Sequence, residues 1–270
     1  MNRVAAVITA TMLLIAMTGP ARAQGASVED SIAAYREMLA DDNPAELWEI
    51  KGKAFWAKKR GPKNASLEAC NLGLGPGVVK GAYAQLPRWF ADAGRVQDLE
   101  MRLVSCMIDL QGLSRAEAEK NHFSTDNDAS DIEALSAWIA SESKGMPIAL
   151  PQAHPKEKEA FAVGEQLFHY RAGPYDFACS TCHSNSGTRI RLQVLPNLTE
   201  PAEAKAIFAS WPAYRVSQGT VRTMENRITD CLRQQRMPMA DFGSDVITDL
   251  TVYMGVQAAG GQMAAPGLKR

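Results

Sequence analysis

The chain has 270 residues, 46% of them hydrophobic and 22% charged, with 29 Lys plus Arg against 30 Asp plus Glu. A chain of that length holds one or two domains and buries a real core. The near-zero charge, with no basic stretch that stands out, argues against nucleic-acid binding and against electrostatic attachment to a membrane surface.

Residues 1–23 read as a signal peptide. Arg3 is followed by an apolar run from Val4 to Met17, then Gly19, Pro20 and Ala21-Arg22-Ala23, the three parts of a secretory leader. The run is shorter than the ~20 residues of a spanning helix, and no later stretch reaches that length, so no membrane span is expected. Cleavage near Ala23/Gln24 leaves 27 basic against 30 acidic side chains, and the mature protein is expected in the periplasm.

Residues 24–146 carry two spaced patterns. The first is Gly52-x-x-Phe55-x5-Gly61-Pro62-x7-Cys70. The second is Pro87-x-Trp89-x4-Gly94-x-Val96-x2-Leu99-Glu100-x-Arg102-x3-Cys106. A polar loop, Phe123 to Asp131, precedes a predicted helix with Ile132, Leu135, Trp138 and Ile139 on one face, for which Ser130 or Asp131 is available as a cap. The Pro-rich segment Gly145 to Lys156 cannot continue a helix and is read as a linker over 147–158.

Residues 159–270 repeat that plan. Gly164-x-x-Leu167-x5-Gly173-Pro174-x4-Cys179 echoes the first pattern, and Pro212-x-Tyr214-x4-Gly219-x-Val221-x2-Met224-Glu225-x-Arg227-x3-Cys231 echoes the second without a gap. Ile247, Leu250, Tyr253 and Met254 match the last helix of the first half. Gly164 to Tyr170 and Asp245 to Met254 look like the first and last helices of a class I cytochrome c domain, with Leu167 and Phe168 in its core. The fold expected is mainly α, two tandem cytochrome c-like domains. Trp48, Trp56, Trp89, Trp138 and Trp211 are read as core, and His122, His154 and His169 as packing or surface residues.

Five cysteines are left after export. Cys179-Ser180-Thr181-Cys182-His183 is C-x-x-C-H, the attachment signature of a c-type haem: two thiols reach the two vinyl groups and His183 becomes the proximal iron ligand. No second C-x-x-C exists to complete a zinc site. After Cys70 come Asn71, Leu72, Gly73 and Leu74, so the first domain lacks the motif and one covalent haem per chain is expected. Cys70 and Cys106 occupy the repeat positions of Cys179 and Cys231. With no haem between them a disulfide is expected, against free or partner-linked thiols. It would close a loop of about 35 residues and contribute on the order of 3 kcal/mol.

Cys231 is then a buried structural thiol, a reactive thiol or a haem ligand. Met237, before Pro238, is the alternative sixth ligand. On a helix Arg227 and Cys231 lie at i and i+4, where the guanidinium favours thiolate over thiol. Arg227 also reads as a haem propionate partner or a solvated helix charge.

The C-x-x-C-H motif, Gln218-Gly219, Glu225-x-Arg227-x3-Cys231 and Gln234-Gln235-Arg236, in the second of two cytochrome-like domains behind a leader, resemble the SoxA family. These are the catalytic subunits of SoxAX cytochromes, the L-cysteine S-thiosulfotransferases of sulfur-compound oxidation. Some members carry a haem in each domain and others keep a disulfide in the first; this chain is similar to the second group. The resemblance implies that Cys231 is an active-site persulfide ligating the iron opposite His183 and that Arg227 binds substrate. The implied reaction joins thiosulfate to a cysteine thiol of a SoxYZ-type carrier and sends two electrons to a SoxX-type monohaem cytochrome. The rival reading is a plain electron-transfer cytochrome with His183 and Met237 as ligands. A two-domain peroxidase would need a second haem motif.

Overall fold

The structure, a computed structural model, describes residues 43–119, 131–190 and 193–269, with scattered positions between 30 and 38. The leader, His122 and Phe123 to Ser130 lie outside the described residues. Two helical units of one plan follow each other. The first contains α1 (Glu46–Ala57), strands β1 (Arg88–Phe90) and β2 (Arg95–Gln97), α2 (Leu99–Gln111), a short α3 (Arg115–Ala118) and α4 (Asp131–Ser141). The second contains α5 (Pro155–His169), α6 (Cys179–His183), β3 (Arg189–Ile190), β4 (Gln193–Val194), α7 (Pro201–Phe208), β5 (Ala213–Arg215), β6 (Thr220–Arg222), α8 (Met224–Gln234), α9 (Asp245–Gln257) and β7 (Gly267–Lys269). Among the described residues no helix is long and apolar enough to cross a membrane.

Each unit is built on a close crossing of its first and last helices. A Cβ at Gly52 would sit 2.0 Å from the carbonyl oxygen of Ala134 on α4, and one at Gly164 would sit 2.0 Å from that of Asp249 on α9. Only glycine lets backbones approach so far. Around the crossings the predicted stripes are buried: Ile132, Leu135, Trp138 and Ile139 in one unit, Ile247, Leu250 and Tyr253 in the other. The Trp138 ring lies 5.6 Å from Trp56, and the Tyr253 ring 5.1 Å from Phe168. A second glycine pair repeats the logic. Gly61 and Gly173 have φ of 69° and 74°, and a Cβ on either would meet the backbone oxygen of Gln111 or Arg236 at 2.2 or 2.7 Å.

The Pro-rich segment is bound to distant parts of the chain through its first residues. Ile148 N–H donates to Gly261 O at 2.8 Å, Met263 N–H to Met146 O at 2.9 Å, and Ala149 N–H to Ala84 O at 2.8 Å. Proline prevents local helix hydrogen bonds there, so the backbone groups pair with distant chain instead. Helix α5 begins at Pro155, inside the stretch read as linker, with Pro at the first turn where its missing N–H costs nothing. His154 caps it through Nδ1, which accepts from Lys156 N–H at 3.2 Å, and so serves packing as expected.

The two units clasp each other reciprocally. Trp89 and Val96 of the β1–β2 hairpin pack on Ala160, Phe161, Val252 and Val256 of α5 and α9, while Tyr214 and Val221 of the β5–β6 hairpin pack on Ala45, Trp48 and Ala137 around α1 and α4. Trp89 stacks on His154 with centroids 4.2 Å apart, and Tyr214 meets Trp48 edge-on at 5.3 Å. A buried ion pair, Arg222 to Glu133 at 2.9 Å, joins the units. Strand β5 lies between β6, antiparallel, and β7, parallel, with Arg215 opposite Thr220 and Lys269.

Candidate functional site

Helix α8 is fixed at its start by Thr223, whose N–H donates to Asn226 Oδ1 at 2.9 Å while its hydroxyl accepts from Asn226 N–H. Met224, Ile228 and Leu232 then fill the core of the second unit. That stripe turns the adjoining one, Arg227 and Cys231, half-buried, toward the short helix α6.

On α6, His183 Nδ1 lies 2.9 Å from the carbonyl oxygen of Pro196. A carbonyl only accepts, so Nδ1 carries the hydrogen and Nε2 keeps its lone pair. Burial holds the imidazole below its ordinary pKa, against the Pro196 bond, and the charge of Arg227 pushes the same way as burial. The ring is thus in the neutral form that ligates a metal. Cys179 is pushed up to about 11, first by burial and then by the charge Cys231 would carry; Cys182 is raised by the same two causes. Cys179, Cys182 and Cys231 lie outside the disulfide. The fold therefore brings the C-x-x-C-H helix, Arg227 and Cys231 into one locality. Two thiols a turn apart beside an imidazole with an open Nε2 are a donor set that fits a covalent haem.

The corresponding place in the first unit does not fit one. Cys70 and Cys106 form a disulfide with Cα atoms 5.6 Å apart, spanning 36 residues. Gly73 and Leu74 stand where the second cysteine and the histidine would be. A Cβ at Gly73 would strike Arg88 Cδ at 2.4 Å, and Leu74 packs on the core. Met237 is partly buried against the core of the second unit, its N–H donating to Leu232 O at 2.9 Å.

Arg215 on β5 is the residue the sequence reading missed. Burial first, and the like charge of Arg227 second, lower its pKa from the ordinary guanidinium range, opposed by Asp230 and Cys231. Its Nε is buried without a hydrogen-bond partner. The signal was present in the repeat, where the same position is Phe90. Pro196 was missed too, because nothing in a lone proline 13 residues past His183 marks its carbonyl as an acceptor.

A second cluster lies between the units. The carboxylates of Asp98, Glu100 and Glu225 are buried with oxygens within 4.8 Å of one another. Burial, joined by mutual repulsion at Glu100 and Glu225, raises all three, Glu100 to about 8. Asp98 Oδ2 and Glu225 Oε1 are buried without a hydrogen-bond partner, a setting that favours the protonated over the charged form.

Comparison with known proteins agrees with this architecture. The family described as SoxA/TsdA, cytochrome c domain, matches residues 51–148 and 163–263, one stretch in each unit. A protein of Hydrogenophilus thermoluteolus named L-cysteine S-thiosulfotransferase subunit SoxA is 46% identical, with 97% of this chain and 98% of that protein covered. A protein of the same name from Hydrogenobacter thermophilus is 31% identical, with 92% of each covered. The crystal structure of SoxXA from P. pantotrophus superposes with a TM-score of 0.72 at 21% identity, over 88% of this chain and 84% of that one, and so shares its fold. Two cytochrome c-like units in tandem, matched over nearly their whole length, place the chain in the SoxA/TsdA cytochrome c family, among the SoxA proteins.

Proposed function

We propose that this chain is the thiosulfate-binding subunit of an L-cysteine S-thiosulfotransferase, exported to the periplasm and carrying one covalent haem c, on its second domain. The observation that carries the reading is the setting of Cys231 and Arg227, one helical turn apart, against the C-x-x-C-H helix. The relatives' shared name supports the activity, and the SoxXA structure supports a SoxX-type cytochrome as partner.

A haem held by Cys179 and Cys182, with His183 on its iron, would supply a cationic, sulfur-binding surface beside Cys231. The protein's own groups do the rest. His183 is held in one tautomer by Pro196. Arg227 presents a planar fork of donors to the sulfonate oxygens of thiosulfate, a dianion. Cys231 presents its sulfur to the sulfane sulfur so held. Across the reaction, thiosulfate and a cysteine thiol of a SoxYZ-type carrier form one S–S bond, the thiol proton leaves, and two electrons pass to the SoxX-type cytochrome.

The test is conjugation of thiosulfate to a carrier cysteine, read as added mass, with an oxidised cytochrome c present. Cys231→Ser is expected to abolish conjugation and change the haem spectrum, while Met237→Leu leaves both intact. Arg227→Ala should lower kcat/KM by about ten- to a hundredfold, the worth of a charge-assisted contact, and Arg227→Lys should recover part of it. Active Cys231→Ser protein, or an iron spectrum perturbed by Met237→Leu alone, would hand the site to the electron-carrier reading.

A further inference from the structure

The repeat sets two arginine sites side by side. Strand β1 corresponds to β5 and helix α2 to α8, so Phe90 and Arg102 in the first unit stand where Arg215 and Arg227 stand in the second. In the first unit Arg102 is fully partnered. Its guanidinium lies 4.1 Å from the Phe90 ring centroid, ion-pairs with Asp92 at 2.8 Å, and donates to Asn71 O at 2.6 Å. In the second unit the aromatic has become Arg215, and the acid has become Ser217. Among the described residues neither Arg215 nor Arg227 has a side-chain hydrogen bond or ion pair, and the acid closest in sequence to Cys231, Asp230, is paired with Arg233 at 2.9 Å.

Arg215 and Arg227 are half-buried like charges within electrostatic reach of each other, and Asp230, the acid that opposes their repulsion, is already paired with Arg233, so the arrangement is costly unless an anion with two or more charges joins them. A single arginine stacked on an aromatic, as in the first unit, has no such need. We infer that Arg215 is the second arm of the substrate clamp, gripping thiosulfate together with Arg227 and selecting doubly charged sulfur oxyanions over singly charged ones. The inference rests on the reading that Arg227 faces thiosulfate beside Cys231.

The test uses the full-length holoprotein. Calorimetry without carrier or electron acceptor measures thiosulfate binding in the absence of turnover, with thiocyanate as a singly charged probe. Arg215→Gln should weaken thiosulfate binding about ten- to a hundredfold and raise KM more than it lowers kcat, with a much smaller effect on thiocyanate. Arg215→Lys should recover part of the loss. Arg215→Phe restores the pairing already present in the first unit, so it should fold and still bind thiosulfate weakly. A rival role for Arg215, neutralising a haem propionate, predicts the reverse: a shifted haem potential with thiosulfate affinity unchanged. That result, or equal losses for thiosulfate and thiocyanate, overturns the inference. If the parent protein does not conjugate thiosulfate at all, the proposed function fails instead; if it does, and Arg227→Ala weakens binding while Arg215→Gln does not, only the second arm is lost.

Discussion

The hairpin–helix unit Arg88–Gln111 and its repeat Ala213–Gln234 have the same register and opposite contents. In the first, a disulfide, a stacked and ion-paired arginine and a core reaching Leu72 fill the space near Cys70. In the second, three cysteines outside any disulfide, an imidazole with one nitrogen not hydrogen-bonded to the chain and two guanidiniums without an ion pair share a locality. One scaffold therefore serves both as a filled wall and as a site. What separates them is a handful of side chains, among them Gly73 for Cys182, Leu74 for His183 and Phe90 for Arg215.

The comparison breaks hardest at the helix crossings. Gly52→Ala and Gly164→Ala each push a methyl group to 2.0 Å from a carbonyl oxygen, so both are expected to lose more than ~3 kcal/mol. Thermal denaturation of the two variants checks whether the crossings are equivalent; a small loss in one alone would show they are not.

The disulfide is the next lever. Replacing Cys70 and Cys106 together by Ser should cost about 3 kcal/mol, or about 6–12 °C in Tm, with conjugation at low temperature unchanged. Loss of activity in a still-folded variant would mean that the first unit does more than support the second.

The weakest expected effect concerns the seam. Glu100 has an ordinary pKa of 4.5 and is raised to about 8 in the folded protein, chiefly by burial and then by Asp98. The folded state then binds a proton that the unfolded state releases, so stability is complete below about 4.5 and falls as pH rises toward 8. Asp98 and Glu225 shift in the same direction. Glu100→Gln cannot lose that proton, so its Tm should exceed the parent's by a few degrees at pH 8 and match it at pH 5. A parent Tm that climbs between those values would reverse the sign and refute the account.

Much of this was legible before any coordinates. Matched glycines, the two Cys spacings and the closing helices reveal the repeat because each answers a local demand: a close crossing, a turn, a haem or its substitute. The pairing of Cys70 with Cys106 followed from where their repeat mates lie. Arg215 was hidden because an arginine in a three-residue strand resembles any solvated hairpin residue until its neighbours are known. Asp98, Glu100 and Glu225 were hidden for another reason. They meet only because each hairpin docks on the other unit's helices, a contact between residues more than a hundred positions apart that no periodicity reports. The anchoring of the Pro-rich segment was hidden in the same way, since the partners of its backbone lie at residues 261 and 263.

The reciprocal clasp also bears on what can be removed. A half without an attachment motif would be dispensable if it were a bead on a string. Here its deletion would strip the cover from Tyr214, Val221 and Val252, leave Arg222 without Glu133, and bare one side of the strand that bears Arg215. A half without the attachment motif still has to keep its body, because the other half uses it as part of its own interior.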